Sequence, residues 1–189
     1  MRACRLCLEQ GHAITPGAIF RGDIDAEIMI IGQAPGVTEV EAGRPFNAGS
    51  GTRLFQWLER AGFEERAFRD TQYMTAVTKC FPGKAKNGGG DRVPSREEQA
   101  LCRPYLDEEL RLVDPKVVIP VGRLAINLFF PASRPLSKII GAGQLIDGRV
   151  VIPLPHPSGA SRWHQIEANR ALIDHAIGRI RAERIKLGL

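Results

Sequence analysis

Apolar and polar positions along the chain follow two periods. Short, wholly apolar runs alternate with longer stretches whose apolar residues recur three and four apart. The run AEIMIIG (26–32) is apolar and turn-bounded, as a parallel strand buried on both faces should be. TRLFQWLERAGF then places Leu54, Trp57, Leu58 and Ala61 on one helical face, with Gly62 as the C-terminal stop. QYMTAVTKC (72–80) reads as the next strand. PSREEQALCRPYLDEELRLV (94–113) opens with a Ser95-x-x-Glu98 capping box and continues as a helix that Pro104 should kink or split. KVVIPVG (116–122) is a strand, followed by a short helix, RLAINLFF. QLIDGRVVIPLPHPS (144–158) predicts a hairpin around Asp147-Gly148, and IEANRALIDHAIGRIRAERIKL a closing amphipathic helix with a basic end. Strand and helix alternate, which defines an α/β protein. No repeat and no long linker divides the chain, so a single domain over 1–189 is expected.

Charge changes this picture modestly. The formal net charge of +5 favours a polyanionic partner, although many soluble proteins are as basic. The loop PGKAKNGGGDRVPS (82–95) concentrates Lys84, Lys86 and Arg92 around three glycines and reads as a mobile basic segment, or simply as a solvated loop. The longest apolar stretch, VVIPVGRLAINLFF, is broken by Pro120, Arg123 and Asn127, which excludes a membrane span. MRACRLCLEQ has no apolar core of a signal peptide. A cytoplasmic protein, in its simplest form a monomer, is expected.

In a reducing compartment the four cysteines are not expected to form disulfides. Cys4 and Cys7 have C-x2-C spacing, while Cys80 ends a strand and Cys102 lies in the next helix. Four thiolates can hold a zinc ion or an iron–sulfur cluster. The spacing favours such a site, the alternative being that Cys80 and Cys102 are small buried hydrophobes. A metal here would clamp the N-terminal arm (1–25) to the core and fix both ends of the basic loop.

Two loops carry the remaining chemistry. GQAPGVTEVEAGRPFNAGSG (32–51) follows a strand, at the edge where α/β sheets place ligands. Its glycines and prolines allow the backbone to wrap a small planar group, on which Phe46 could stack. The spacing matches neither a dinucleotide fingerprint nor a Walker loop. In PLPHPSGASRWH (153–164), His156 is held between two prolines at a strand end, followed by Ser158, Ser161 and Arg162, a pattern suited to approaching a phosphate backbone.

In combination and in this order, GQAPG…GRPF…GSG, TAVTKC, PSREEQALCRPYL and PHPS resemble the uracil-DNA glycosylase superfamily over most of the chain. The four cysteines resemble the iron–sulfur ligands of families 4 and 5. The resemblance implies a three-layer α/β/α domain with a central, mostly parallel four-stranded sheet. It ranks a [4Fe–4S] cluster on Cys4, Cys7, Cys80 and Cys102 above zinc. It implies that Phe46 stacks on a flipped base, that the backbone of Gln33 and Ala34 lines the pocket, and that His156 stabilises charge on the departing base. Glu39 matches a family 4 acid that handles the attacking water, ahead of Gln33, Asn47 and the nearby Glu41. Lys84, Lys86, Arg92, Ser158, Ser161 and Arg162 would meet DNA.

The departures are specific. Ala34 stands where the best-known branch has its water-activating Asp. Ala76 stands where families 1 and 4 have an Asn that reads uracil. FNAGSG lacks the family 5 acid. A family 4-like Glu39 with a family 5-like Ala76 implies a monofunctional glycosylase of base excision repair that excises uracil and also accepts hypoxanthine or xanthine. The competing expectation is a catalytically weak iron–sulfur protein that binds damaged or single-stranded DNA. A small-molecule α/β enzyme is the third.

Overall fold

The computed structural model describes residues 1–86, 90–159 and 161–189; the middle of the basic loop, 87–89, lies outside them. In chain order the elements are α1 (Leu6–Glu9), β1 (Ile28–Gly32), α2 (Val37–Ala42), α3 (Gly49–Arg60), α4 (Glu65–Thr71), β2 (Tyr73–Ala76), α5 (Arg96–Val113), β3 (Val117–Pro120), α6 (Arg123–Ile126), β4 (Gln144–Ile146), β5 (Arg149–Val151) and α7 (Glu167–Lys186). Single 3-10 turns stand at Leu136–Lys138 and Trp163–Gln165.

The sheet order is β2-β1-β3-β5-β4. The first four strands are parallel neighbours, as expected, and every residue of β1, β2 and β3 is buried. The expected four strands are five, because the first arm of the predicted hairpin adds β4 antiparallel to β5. Asp147 (φ 48°) and Gly148 (φ 79°) make the turn, with both central residues left-handed as a two-residue hairpin requires.

Helix boundaries follow local chemistry. Ser95 caps α5: its hydroxyl accepts the Glu98 N–H at 3.2 Å, and the Glu98 carboxylate accepts the Ser95 N–H at 2.6 Å. The helix runs unbroken through Pro104, whose ring is exposed, so the expected split does not occur. In α3, Leu54, Trp57 and Leu58 are buried, as the pattern requires. The helices pack in two groups, α1 with α5, and α3 with both α4 and α7. The N-terminal arm is held by backbone bonds as well: Ile19 donates to the Lys79 carbonyl, and Arg21 and Met74 exchange bonds in both directions.

β1 lies between β2 and β3, and the strand order reverses beside it. Such a reversal opens a crevice at the carboxyl ends of the strands.

Candidate active site

The crevice is occupied by a cleft of ≈ 450 Å³. Gly32, Gln33 and Ala34 enter it from the end of β1, Ala76 from the end of β2, Val121 from β3, and His156, Pro157 and Ser158 from the loop after β5. Glu39, Pro45 and Phe46 close it from the glycine-rich loop. The structure thus brings together Gln33, Ala34, Glu39, Phe46, Ala76, His156 and Ser158. Volume and lining suit one flat ring with a few polar groups around it.

Phe46 is packed end-on against β1. A methyl group added at Gly32 would sit 3.0 Å from Phe46 Cζ, so the strand must end in glycine to leave room for the ring. Phe46 itself has φ 52°, in the left-handed region where a bulky residue is rare.

His156 has a defined tautomer. The Ser158 backbone N–H donates to Nδ1 at 3.2 Å, and Ser158 Oγ lies 2.9 Å from the same nitrogen. Nδ1 is therefore the acceptor, and the neutral ring carries its proton on Nε2. Burial pushes the His156 pKa down, and the nearby His164 lowers it further. Neutral imidazole with an Nε2–H donor is the form this turn holds near neutrality. Gly122 (φ 84°) admits the ring, since a methyl group there would meet His156 Cδ2 at 3.0 Å. Arg53 of α3 donates to the Pro157 carbonyl at 2.8 Å and ties this loop to the other wall.

Glu39 lies at the start of α2, a helix inside the segment expected to be loop. Its carboxylate accepts the Gly36 N–H at 2.9 Å. Glu41 is exposed and does not line the cleft, so of the two acids only Glu39 faces it. Asn47 does not line the cleft either. Its amide accepts from Arg44 Nε at 2.5 Å and donates to the Thr38 carbonyl at 3.3 Å, bracing the loop.

Sequence reasoning missed Asp91, which lines the cleft beside Glu39 and is paired with Lys84 at 2.7 Å. The described ends of the basic loop form an antiparallel bridge between Lys84 and Asp91, and that pairing carries the acid over the pocket. Nothing in the linear spacing points to it. Lys84, Lys86 and Arg162 are exposed, and Ser161 is half-buried. Arg92, expected on the phosphate-facing surface, is committed elsewhere: its guanidinium grips the buried Glu98 carboxylate with two bonds of 2.5–2.6 Å and also reaches the Ala13 carbonyl. A forked ion pair of this kind braces the loop and ties up part of the donor capacity that a phosphate would need.

Cys4, Cys7, Cys80 and Cys102 line a second pocket, whose walls include Ile14, Ala18 and Leu101. Burial raises the thiol pKa of Cys7 and Cys80, and that of Cys102 to about 11. Among the described residues no three such side chains converge closely enough to hold a single metal ion. The Lys79 backbone N–H points at Cys102 Sγ at 3.3 Å, and the buried Thr78 Oγ1, on the same wall, has no partner among the described residues. Four soft donors around an apolar pocket, with the Lys79 N–H on one of the sulfurs and an unpartnered hydroxyl in its lining, fit a sulfur-rich cluster. Metal binding would have to displace the thiol protons.

A mostly parallel sheet with a small polar-edged pocket where its strand order reverses is the place where α/β proteins bind their ligands. The chain belongs to the uracil-DNA glycosylase superfamily, whose sequence profile matches residues 19–179. The chain is thus a hydrolase of the uracil-DNA glycosylase type. A type-4 uracil-DNA glycosylase of Thermotoga maritima is 30% identical over 175 residues, covering 91% of this chain and 83% of the relative. The type-4 uracil-DNA glycosylase of Sulfurisphaera tokodaii is 31% identical over 168 residues, covering 84% and 70%. A type-5 uracil-DNA glycosylase of Pyrobaculum aerophilum is 30% identical over 132 residues, covering 64% and 52%. The expected likeness to both branches is therefore present. Among the described residues no helix is long and apolar enough to cross a membrane.

Proposed function

We propose that this chain is a monofunctional DNA glycosylase that extrudes uracil from DNA and hydrolyses its N-glycosidic bond, with additional activity on hypoxanthine or xanthine. The observation that carries this reading is the convergence of Phe46, Glu39 and the tautomer-fixed His156 on one cleft.

The target base must leave the stack, at a cost of a few kcal/mol. Lys84, Lys86 and Arg162 are exposed to hold phosphates without reading sequence, with Ser158 and Ser161 alongside. Phe46 stacks on the extruded ring. The C1′–N1 bond then breaks, and its electron pair leaves with the base. His156 Nε2–H donates to the base oxygen on which that charge gathers, an interaction of about 3–4 kcal/mol in a preorganised site. Water attacks C1′, and the Glu39 carboxylate orients it and takes its proton. The departing base is protonated as the cycle closes, so no covalent intermediate and no strand cleavage are needed. Ala76 offers no side-chain hydrogen bond to the base, which supports broad base acceptance.

The four cysteines would hold a [4Fe–4S] cluster, which supplies a structural clamp between the N-terminal arm, the basic loop and α5. Visible absorbance, iron and acid-labile sulfide should all be lost together in Cys102→Ser.

The test is a panel of single- and double-stranded oligonucleotides bearing one uracil, hypoxanthine or xanthine, scored for alkali-labile abasic sites. Base release abolished by His156→Ala supports the enzyme. Binding without release on every substrate would overturn it in favour of a damage-binding protein.

A further inference from the structure

We propose that Arg69, which belongs to none of the motifs and does not line the cleft, is a positioning residue that sets the stacking face of Phe46. This rests on the reading of Phe46 as the residue that stacks on the base.

Phe46 is held in a left-handed backbone conformation (φ 52°). A bulky residue persists there only where its surroundings over-determine it. Arg69, on α4, supplies the determination. Its Nη1 donates to the Pro45 carbonyl at 2.8 Å and its Nη2 to the Phe46 carbonyl at 2.8 Å. These carbonyls belong to the two peptide planes that flank the Phe46 Cα. The rotation between those planes is the φ and ψ of Phe46, so one rigid guanidinium fork grips both sides of the joint that aims the ring. The first turn of α3 closes on the same carbonyl: a methyl group at Gly51 would lie 1.9 Å from Phe46 O.

The fork is itself immobile. Arg69 is 5% exposed, its Nε donates to Glu65 at 2.8 Å, and its guanidinium lies 4.2 Å from the centroid of the Phe55 ring. Lysine would keep the charge but not the planar two-point grip. If the grip slackens, the backbone can relax toward negative φ, and the Phe46 ring leaves its place against Gly32.

The experiment compares wild type, Arg69→Lys, Phe46→Ala and the double variant. It uses single-turnover base release from a uracil oligonucleotide, normalised to folded protein, and affinity for uracil-containing and abasic DNA. Phe46→Ala should lose about tenfold to a hundredfold, the range expected for one stacked base. Arg69→Lys should lose about tenfold or more in rate and in affinity for uracil DNA, while affinity for abasic DNA stays within about twofold, because the abasic product has no base to stack. The double variant should lose no more than about twofold beyond Phe46→Ala. Multiplying losses, or an Arg69→Lys rate within about twofold of wild type, would overturn the clamp. A Phe46→Ala rate near wild type would instead overturn the stacking reading and the role of Arg69 with it. Gly51→Ala disturbs the same carbonyl with Arg69 intact, and should reproduce the selective loss even if Arg69→Lys does not fold.

Discussion

Ser158 points its backbone N–H at Nδ1 of His156, two residues earlier in the same turn, and so decides which ring nitrogen carries the proton. The consequence for pH has a definite sign. The unfolded His156 titrates near its ordinary value of about 6.5, whereas burial and His164 lower the folded value. Above pH ~6.5 both states are neutral and the fold keeps its full stability. As pH falls below that value the unfolded chain gains a proton that the folded protein resists, and stability is lost down to the folded pKa. Denaturant midpoints between pH 7 and 5 should fall more steeply for wild type than for His156→Gln. Near pH 7 the same variant should lose about a hundredfold in base release, because its amide cannot reproduce the oriented Nε2–H.

Glu39 and Asp91 converge on Gly36: a methyl group there would lie 2.7 Å from a carboxylate oxygen of each. Their surroundings differ. Glu39 accepts a backbone N–H at the start of α2, while Asp91 forms an ion pair with Lys84 across the described ends of the basic loop. These surroundings favour Glu39 over Asp91 for the proposed proton transfer from the attacking water. Glu39→Gln should lower the single-turnover rate by about a hundredfold, with DNA affinity nearly unchanged. Asp91→Asn should cost only a few-fold. A Glu39→Gln rate within about threefold of wild type would move the water role elsewhere.

In the proposed reading Ala76 sets the specificity. It closes the end of β2 and lines the cleft, and its carbonyl is already engaged by Lys79. A side-chain amide there would pair with the edge of uracil and leave a donor or acceptor unmatched against a purine. Ala76→Asn should therefore raise the ratio of uracil to hypoxanthine release by about tenfold or more. An unchanged ratio in competition assays would show that the walls of the cleft, rather than this edge, select the base.

The elements that a local pattern encodes were legible in the chain. The apolar run of β1, the period of α3, the Ser95–Glu98 box of α5 and the Asp147-Gly148 turn each rest on residues close in sequence. So did the pocket residues Phe46 and His156, because glycines and prolines fix their loops locally. Arg69, Asp91 and Lys79 were not legible. Each looks like an ordinary surface charge in its own segment, and each gains its role from a contact made when distant segments meet. Arg92 is the opposite case: its neighbours suggest a phosphate ligand, while folding also pairs it with Glu98, which no count of basic residues could reveal.

Lys79 links the cysteine pocket to the base cleft. Its backbone N–H reaches Cys102, and its Nζ reaches the Ala76 carbonyl at 2.6 Å, Thr75 Oγ1 at 2.7 Å and Glu109 at 2.5 Å. Glu109 also accepts from Tyr73 and Thr75, and Lys79 and Glu109 are both almost wholly buried. Burial lowers the Lys79 pKa, and the Glu109 carboxylate opposes that shift. Removing one partner leaves the other charge buried and uncompensated, so Lys79→Met should cost about 3–5 kcal/mol in denaturant unfolding. Adding Glu109→Gln removes the stranded charge while keeping an acceptor for Tyr73 and Thr75, and should restore more than half of that loss. The ledge formed by Thr75 and Ala76 would still lack its anchor. The double variant should therefore recover stability but not the full rate of base release, which separates holding the fold together from holding the floor of the cleft in place.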